Sequence, residues 1–244
     1  MFSSEDFRMS LKPLTASFIM ISLVGYMTMI SNAFPGRAEE REKIKSIQLP
    51  APSAEGKMSL EAAIEKRRSR RRFEDKALKL AQISQILWAA QGITEKGGIK
   101  RAAPSAGALY PLEIYLVVRK VEGLEAGVYH YNPAKHTIDL ILKGNYQNPL
   151  ARACLGQMFI ADAPVCIVIT AEYERTTVKY GRRGIRYVHM EAGHAGQNIC
   201  LQVVSLGLGT VSVGAFQDEE VSRVLNLPKA HRPLYVFPIG YPGD

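Results

Sequence analysis

Cysteine is scarce: three in 244 residues, at Cys154, Cys166 and Cys200. They form no CxxC pair and no even set, which argues against a disulfide framework or a cysteine metal site. Cys166 sits in an apolar, strand-like run and Cys200 in a helix that reads as buried. All three read as small core residues, although an oxidising compartment would allow one pair to close. A histidine metal site is equally poorly supported, because His189 and His194 are five residues apart rather than four and no third ligand is evident. Also missing are an internal repeat, a glycine-rich dinucleotide fingerprint, a twin arginine ahead of the first apolar run, and a lipoprotein cysteine near Ala33. The single tryptophan, Trp88, falls at the edge of a helical stripe and reads as a packing residue. Acidic residues are outnumbered, 23 against 31 Lys and Arg, for a net charge of +8. The seven residues Lys66–Arg72 supply six of those charges, so the rest of the chain is close to neutral. A nucleic-acid binder usually spreads basic residues over a face and interleaves aromatics. A single knot fits one compact anion better.

The N-terminus has the pattern of a targeting segment. Arg8 and Lys12 precede an apolar run from Leu14 to Ile30, and Ser31-Asn32-Ala33 follows with small residues where signal peptidase prefers them. The run is at the short limit for crossing a bilayer. Residues 1–33 are therefore expected to be a signal peptide or an N-terminal membrane anchor. Both place the rest of the chain outside the cytoplasm, exported or tethered to the membrane. Residues 34–57, rich in proline and mixed charge, read as linker. Residues 58–244 read as one folded domain.

Within that domain, Ser59 is positioned to cap a helix Leu60–Arg67, and Lys79 to Gln91 has an apolar helical stripe stopped by Gly92. Ile93 to Arg101 reads as a basic loop, Glu113–Val118 as a strand, and 127–132 with 137–142 as a hairpin. Tyr146 to Gly156 reads as helix and Pro164–Ala171 as a strand buried on both faces. Lys179–Arg186 reads as a basic loop, and 186–206 as a long helix whose apolar C-terminal half belongs in the interior or at a subunit interface. A short strand 210–214, a helix 218–225 capped by Asp218 and a last strand 234–239 complete the pattern. His194, one turn after Glu191, reads as a hydrogen-bonded structural residue on a helix becoming buried. Glu172 and Glu174 read as a solvated strand end.

Two stretches look chemical. In Lys66–Arg72 the guanidiniums repel one another unless an anion screens them, and their planar forks suit phosphate oxygens. Ser69 adds a short-range donor. The other stretch is Ala103-Pro104-Ser105-Ala106-Gly107-Ala108-Leu109-Tyr110-Pro111, whose side chains are too small to fill space. Such a loop lets backbone approach something flat. A solvated basic run and an ordinary turn are the plainer readings of each.

Taken in order, these pieces resemble the nitroreductase-like flavoprotein family, and within it the SagB-type (thiazole/oxazole-forming peptide) dehydrogenases. The resemblance is carried by Arg67-Arg68-Ser69-x-Arg71-x-Phe73, the Pro104–Pro111 loop, Gly127-x-Tyr129-x-Tyr131, Lys179-Tyr180-Gly181, Glu191-Ala192-Gly193-His194 with Gln197-Asn198, and Gly207-Leu208-Gly209 leading to Gly214-Ala215-Phe216. It implies an α+β, three-layer fold with a central, mixed but mostly antiparallel sheet between helices and a long helix at a homodimer interface. It also implies an enzyme that passes hydride through FMN in a ping-pong cycle. By the same resemblance Arg67, Arg68 and Ser69 would hold the phosphate and ribityl chain, with Arg71 near the pyrimidine edge. Pro104, Ser105 and Ala106 would contact the ring, usually from the partner subunit. Val213 and Gly214 would offer backbone near the reactive centre, and Lys179 with Tyr180 would move protons in azoline oxidation. NAD(P)H could serve as donor without a dinucleotide fingerprint, because donor and acceptor share the flavin face. A peptide or small molecule would be the substrate, with no nucleic acid and no metal. A non-catalytic flavin-binding module is the alternative.

Overall fold

The computed structural model describes residues 45–95 and 97–243. The expected signal or anchor segment lies outside them, as does the linker before residue 45. The described strands are β1 (Ser46–Gln48), β2 (Leu112–Val118), β3 (Gly127–Asn132), β4 (Thr137–Lys143), β5 (Val165–Glu172), β6 (Gly209–Thr210) and β7 (His231–Gly240). The helices are α1 (Leu60–Lys66), α2 (Leu80–Gln91), α3 (Gln147–Ala153), α4 (Phe159–Asp162), α5 (Glu174–Tyr180), α6 (Arg183–Ser205) and α7 (Asp218–Leu225). All seven strands join one sheet in the order β1-β4-β3-β2-β5-β7-β6. Each ladder in it is antiparallel; parallel pairing is confined to two isolated bridges, Ser69 with Thr210 and Leu78 with Val121.

The fold is α+β in three layers, and the strand sequences show why. β5 is apolar without alternation because it is central, flanked by β2 and β7 and covered on both faces. On one face Ile114, Leu116, Ile167, Ile169, Phe237 and Ile239 pack against α2 and α6. On the other, Tyr115, Val117, Cys166, Val168 and Val236 pack against α3, α4 and α7. The long helix α6 comes close to the sheet at Gly196, where a Cβ would sit 2.9 Å from Phe237 Cζ.

Several local expectations change. Ser46–Gln48, assigned to linker, pairs with β4 as an edge strand, and Leu49 beside it is buried. Backbone hydrogen bonding to β4 decides this, and composition does not report it. The basic stretch expected as loop is helical: α5 ends at Tyr180, and α6 begins three residues later at Arg183. α5 carries no apolar stripe, since its packing on α6 is through Thr176 and Gly184, where Gly184 lets the two backbones approach. The expected strand 210–214 pairs as a strand only at Gly209–Thr210, with Val213 making a separate bridge to Val236. Asp218 is the first residue of α7 and not its cap, which is Gln217.

Candidate functional site

The arginine knot begins where α1 stops. Ser59 accepts the Ala62 N–H at the start of α1, and Arg67 closes its end through an N–H to the Ala63 carbonyl. Beyond it the chain runs beside β6: Ser69 bridges Thr210, and the Arg70 N–H donates to the Thr210 carbonyl at 2.9 Å. Gly209 permits this approach, since a Cβ there would come 2.9 Å from Arg70 Cβ. Downstream, Gly243 N–H donates to the Arg72 carbonyl, and Glu74 N–H to that of Tyr241. The backbone of the knot is thus held on both sides while Arg68, Ser69, Arg70 and Arg71 stay exposed. Among the described residues no carboxylate forms an ion pair with Arg67, Arg68, Arg70 or Arg71. Arg68 donates to the Glu65 and Arg67 carbonyls, and Arg71 lies over the Phe159 ring, 5.9 Å from its centroid. Guanidiniums at Arg67, Arg68, Arg70 and Arg71 without carboxylate partners among the described residues, and a serine hydroxyl on a pinned backbone, fit a phosphate group.

Val213 and Gly214 lie at the same border of the sheet. Val213 is buried and exchanges two 2.9 Å backbone hydrogen bonds with Val236; Gly214 is exposed. The next carbonyl, of Ala215, accepts from Gln157 Nε2 at 2.9 Å. Half-buried Arg67 is close enough to Cys200 of α6 to favour its thiolate, although burial dominates and pushes that thiol up. All three cysteines are free and buried.

The small-residue loop forms a second group. Pro104 is exposed, and after Ser105 the chain makes a tight turn, Ala106–Ala108, with Gly107 at φ 64°. Ala108 and Tyr110 also have positive φ, 54° and 47°. Ser105 Oγ accepts the Tyr110 N–H at 2.9 Å. The Tyr110 hydroxyl donates to the Ile99 carbonyl, its ring lies under Arg101, and its carbonyl accepts from Arg175. Lys179 and Tyr180 meet this loop: a Cβ at Gly107 would lie 2.8 Å from Tyr180 Oη and 3.0 Å from Lys179 Nζ. The Lys-Tyr pair, expected on a loop, is therefore presented by the last turn of a helix, with Lys179 exposed and Tyr180 half-buried.

Sequence reasoning missed what supports the loop. Glu191 of α6 is buried at 3% exposure. Gln91 Nε2 donates to its Oε1 at 3.5 Å, Ser105 lies close by, and burial pushes its carboxyl up to about 7. Gln91 in turn accepts from Arg101 Nη1 at 3.1 Å. A carboxylate on the apolar stripe of Val188, Ala192 and Ala195 was the available signal. His194, expected as a hydrogen-bonded structural residue on a helix becoming buried, is exposed. At the strand end, Glu172 pairs with Arg175 and Glu174 is exposed. Arg175 also binds Glu113, whose other oxygen meets His130 at 2.6 Å.

Within one chain the two groups stand against different stretches of α6. Arg67 approaches Cys200 and Ser105 approaches Glu191, about 13 Å apart along a helix axis. Exposed apolar side chains lie nearby in sequence: Leu60 and Ile64 on α1, Val178 on α5, Ile185 and Met190 on α6. A groove of about 440 Å³ runs between α1, α2 and α6, lined by Leu60, Ala63, Trp88, Ala89, Asn198 and Leu201 among others.

Residues 64–241 match the model of the nitroreductase family. A protein of Methanocaldococcus jannaschii named as a nitroreductase is 50% identical over 195 residues, covering 80% of this chain and 96% of that one. The microcin B17-processing protein McbC of Escherichia coli is 30% identical over 155 residues, and the match spans 62% of this chain and 57% of McbC. Among solved structures, the E. coli microcin synthetase McbBCD complex with truncated pro-microcin B17 bound superposes with a TM-score of 0.63. That match is at 27% identity and covers 89% of this chain and 85% of the matched one.

Proposed function

The chain belongs to the nitroreductase family, and from that membership we propose that it is an FMN-dependent oxidoreductase of the SagB type. The observation that carries the reading is the set of guanidiniums at Arg67, Arg68 and Arg71, without carboxylate partners among the described residues and fixed on backbone bonded to Thr210. They and Ser69 would hold the FMN phosphate and ribityl chain. Bound FMN supplies hydride transfer, so the protein needs no nucleophile of its own. Pro104, Ser105 and Ala106 give a flat ligand close access to backbone, and Val213 and Gly214 border the arginine side. Arg71, stacked toward Phe159, would have to swing to reach a ring edge.

The separation of the two groups along α6 favours a site completed by a second copy, one chain supplying arginines and the other the small-residue loop. The exposed Leu60, Ile64, Val178 and Met190 are suited to that contact. A homodimer is therefore part of the proposal, as are NAD(P)H as electron donor and an extracytoplasmic location.

A second reading, oxidation of azolines in a peptide, is favoured by Lys179 and Tyr180 at the Gly107 turn and by the likeness to McbC. Tyr180 could give or take a proton through its phenol, and Lys179 beside it would favour the phenolate. The first test is the absorption spectrum of the purified full-length protein, as isolated and after saturation with FMN, followed by NADPH or dithionite. A flavin spectrum bleached by NADPH supports the oxidoreductase. Bound flavin that no donor reduces supports a binding module, and folded protein that takes up no FMN refutes the reading.

A further inference from the structure

Helix α5 carries Lys179 and Tyr180, yet it has little of its own to hold it in place. It is seven residues long, its start has no side-chain cap, and Thr176 is its one buried residue. A helix this short is marginal in water without tertiary contacts. Among the described residues, Arg175 makes the only side-chain hydrogen bond and ion pairs that join α5 to the sheet or to the small-residue loop. Its Nη1 donates to the Tyr110 carbonyl at 3.1 Å. Its Nη2 lies 2.6 Å from Glu113 Oε1 on β2 and 2.6 Å from Glu172 Oε2 on β5. A guanidinium suits this because its donors sit in a fixed planar fork. Glu113 is an immobile anchor, since its side chain is 14% exposed and its other oxygen meets His130 Nε2 at 2.6 Å.

At the loop the grip falls on a residue that needs it. Tyr110 has φ 47°, in the left-handed region that a side chain disfavours. Ser105 Oγ accepts its N–H at 2.9 Å and Arg175 takes its carbonyl, so side chains hold both of its peptide groups. Three residues earlier is Gly107, φ 64°, the turn that Tyr180 Oη and Lys179 Nζ approach. On α5, Arg175 and Lys179 are four residues apart, which puts both on one face. Helix and loop therefore meet at two points, Arg175 on Tyr110 and the Lys-Tyr pair on Gly107, and the first is the one made by a hydrogen bond.

We propose that Arg175 is a positioning residue: it sets the register of α5 against the small-residue loop and so holds Lys179 and Tyr180 at the Gly107 turn. This rests on the azoline reading of that pair. Turning an azoline into an azole removes one hydride and one ring proton. The hydride is what bound flavin takes up, and the proton is what Tyr180, with Lys179 beside it, receives. Proton transfer needs hydrogen-bond reach. A helix free to slide would lose that step while the sheet and the arginine knot remain.

The test uses full-length protein and a synthetic peptide containing one thiazoline, with azole formed per bound flavin as the rate. Arg175→Met should be at least about tenfold slower, with FMN content unchanged. Because Arg175 acts through the pair, adding Arg175→Met to Tyr180→Phe should slow the reaction by less than about twofold further. A merely structural role would slow it as much as in the wild type. Arg175→Met also leaves Glu113 and Glu172 without the cation between them, which lowers Tm. Combining it with Glu172→Gln should recover much of the lost Tm and none of the rate. Arg175→Lys keeps the charge and loses the fork, so it should keep the Tm and lie between in rate. No rate change in Arg175→Met, a full further loss on the Tyr180→Phe background, or a rate restored by Glu172→Gln overturns the proposal. A second readout needs neither flavin nor substrate. With 3-fluorotyrosine at position 180, fluorine NMR of the flavin-free protein should show one line displaced from that of free 3-fluorotyrosine. Arg175→Met with Glu172→Gln should move it toward the free value, and Arg175→Lys part of the way. An unmoved line overturns the clamp. A line that moves as stated, in protein that oxidises no azoline, leaves the clamp standing and removes the azoline reading.

Discussion

Replacing Arg67 by methionine separates a ligand-holding role for the arginine knot from a structural one, because the two predict opposite signs. Methionine keeps an unbranched apolar stem at this half-buried position while deleting the guanidinium. Arg67 has no carboxylate partner among the described residues and carries like charges at Lys66 and Arg68. Its loss should therefore change the stability of the flavin-free protein by no more than about 0.5 kcal/mol, and toward greater stability. For a domain of this size that is a rise of about 1–2 °C in Tm. A charge-assisted hydrogen bond to phosphate contributes about 1.5–3 kcal/mol, so the FMN dissociation constant should rise about 10- to 150-fold. Arg67→Lys should fall between, since it keeps the charge and loses the fork. The difference should narrow at high salt, because the neighbouring charges of Arg68, Arg70 and Arg71 are exposed. Flavin fluorescence titration and thermal unfolding without flavin measure both quantities. A flavin-free Tm lowered by more than about 4 °C together with unchanged FMN affinity would refute the argument, and with it the assignment of the knot to a phosphate.

Three further outcomes follow from the geometry. Lys179→Ala and Tyr180→Phe, both on the outer turn of α5, should keep FMN bound and the fold intact; on the azoline reading each slows peptide oxidation at least about tenfold, measured as azole formed per bound flavin. Gly196→Ala forces a methyl to 2.9 Å from the buried Phe237 ring and should cost about 1–3 kcal/mol, a Tm drop of about 2–12 °C, by differential scanning calorimetry. At Glu113, burial pushes the carboxyl up, but the His130 hydrogen bond and the Arg175 charge outweigh it and hold it below the ordinary carboxylate value. Because the folded value is depressed, the stabilisation is complete above the unfolded value of about 4.3 and is lost as pH falls through the folded one. Glu113→Gln should thus be less stable than wild type at pH 7, and the gap should close below about pH 4 in acid titrations of Tm.

How far the sequence reported the molecule depends on the range of the interaction involved. The Pro164–Ala171 run had no alternation because water reaches neither face of β5, and α6 showed its stripe over many turns; such signals are local and repeated. The arginine knot was legible because its like charges are adjacent in the chain. β1 was not, because three residues in a proline-containing stretch carry no period, and their pairing with β4 is a contact between segments some ninety residues apart. α5 escaped for a related reason: its buried residue, Thr176, is polar and its contact is with a glycine. The support of the small-residue loop was hidden most completely. Gln91, Arg101, Ser105 and Glu191 come from two helices and two loops, and each alone reads as an ordinary polar residue.

The placement of β1 has a consequence for how the molecule can be moored. β1 and β6 are the opposite borders of a seven-strand sheet, so six interstrand spacings, about 29 Å, separate them. The arginine knot leans on β6, through Thr210. Whatever precedes Lys45 is therefore joined to the molecule at the border away from the arginines. A tether coupled at Lys45 would pull on the border farthest from the guanidiniums.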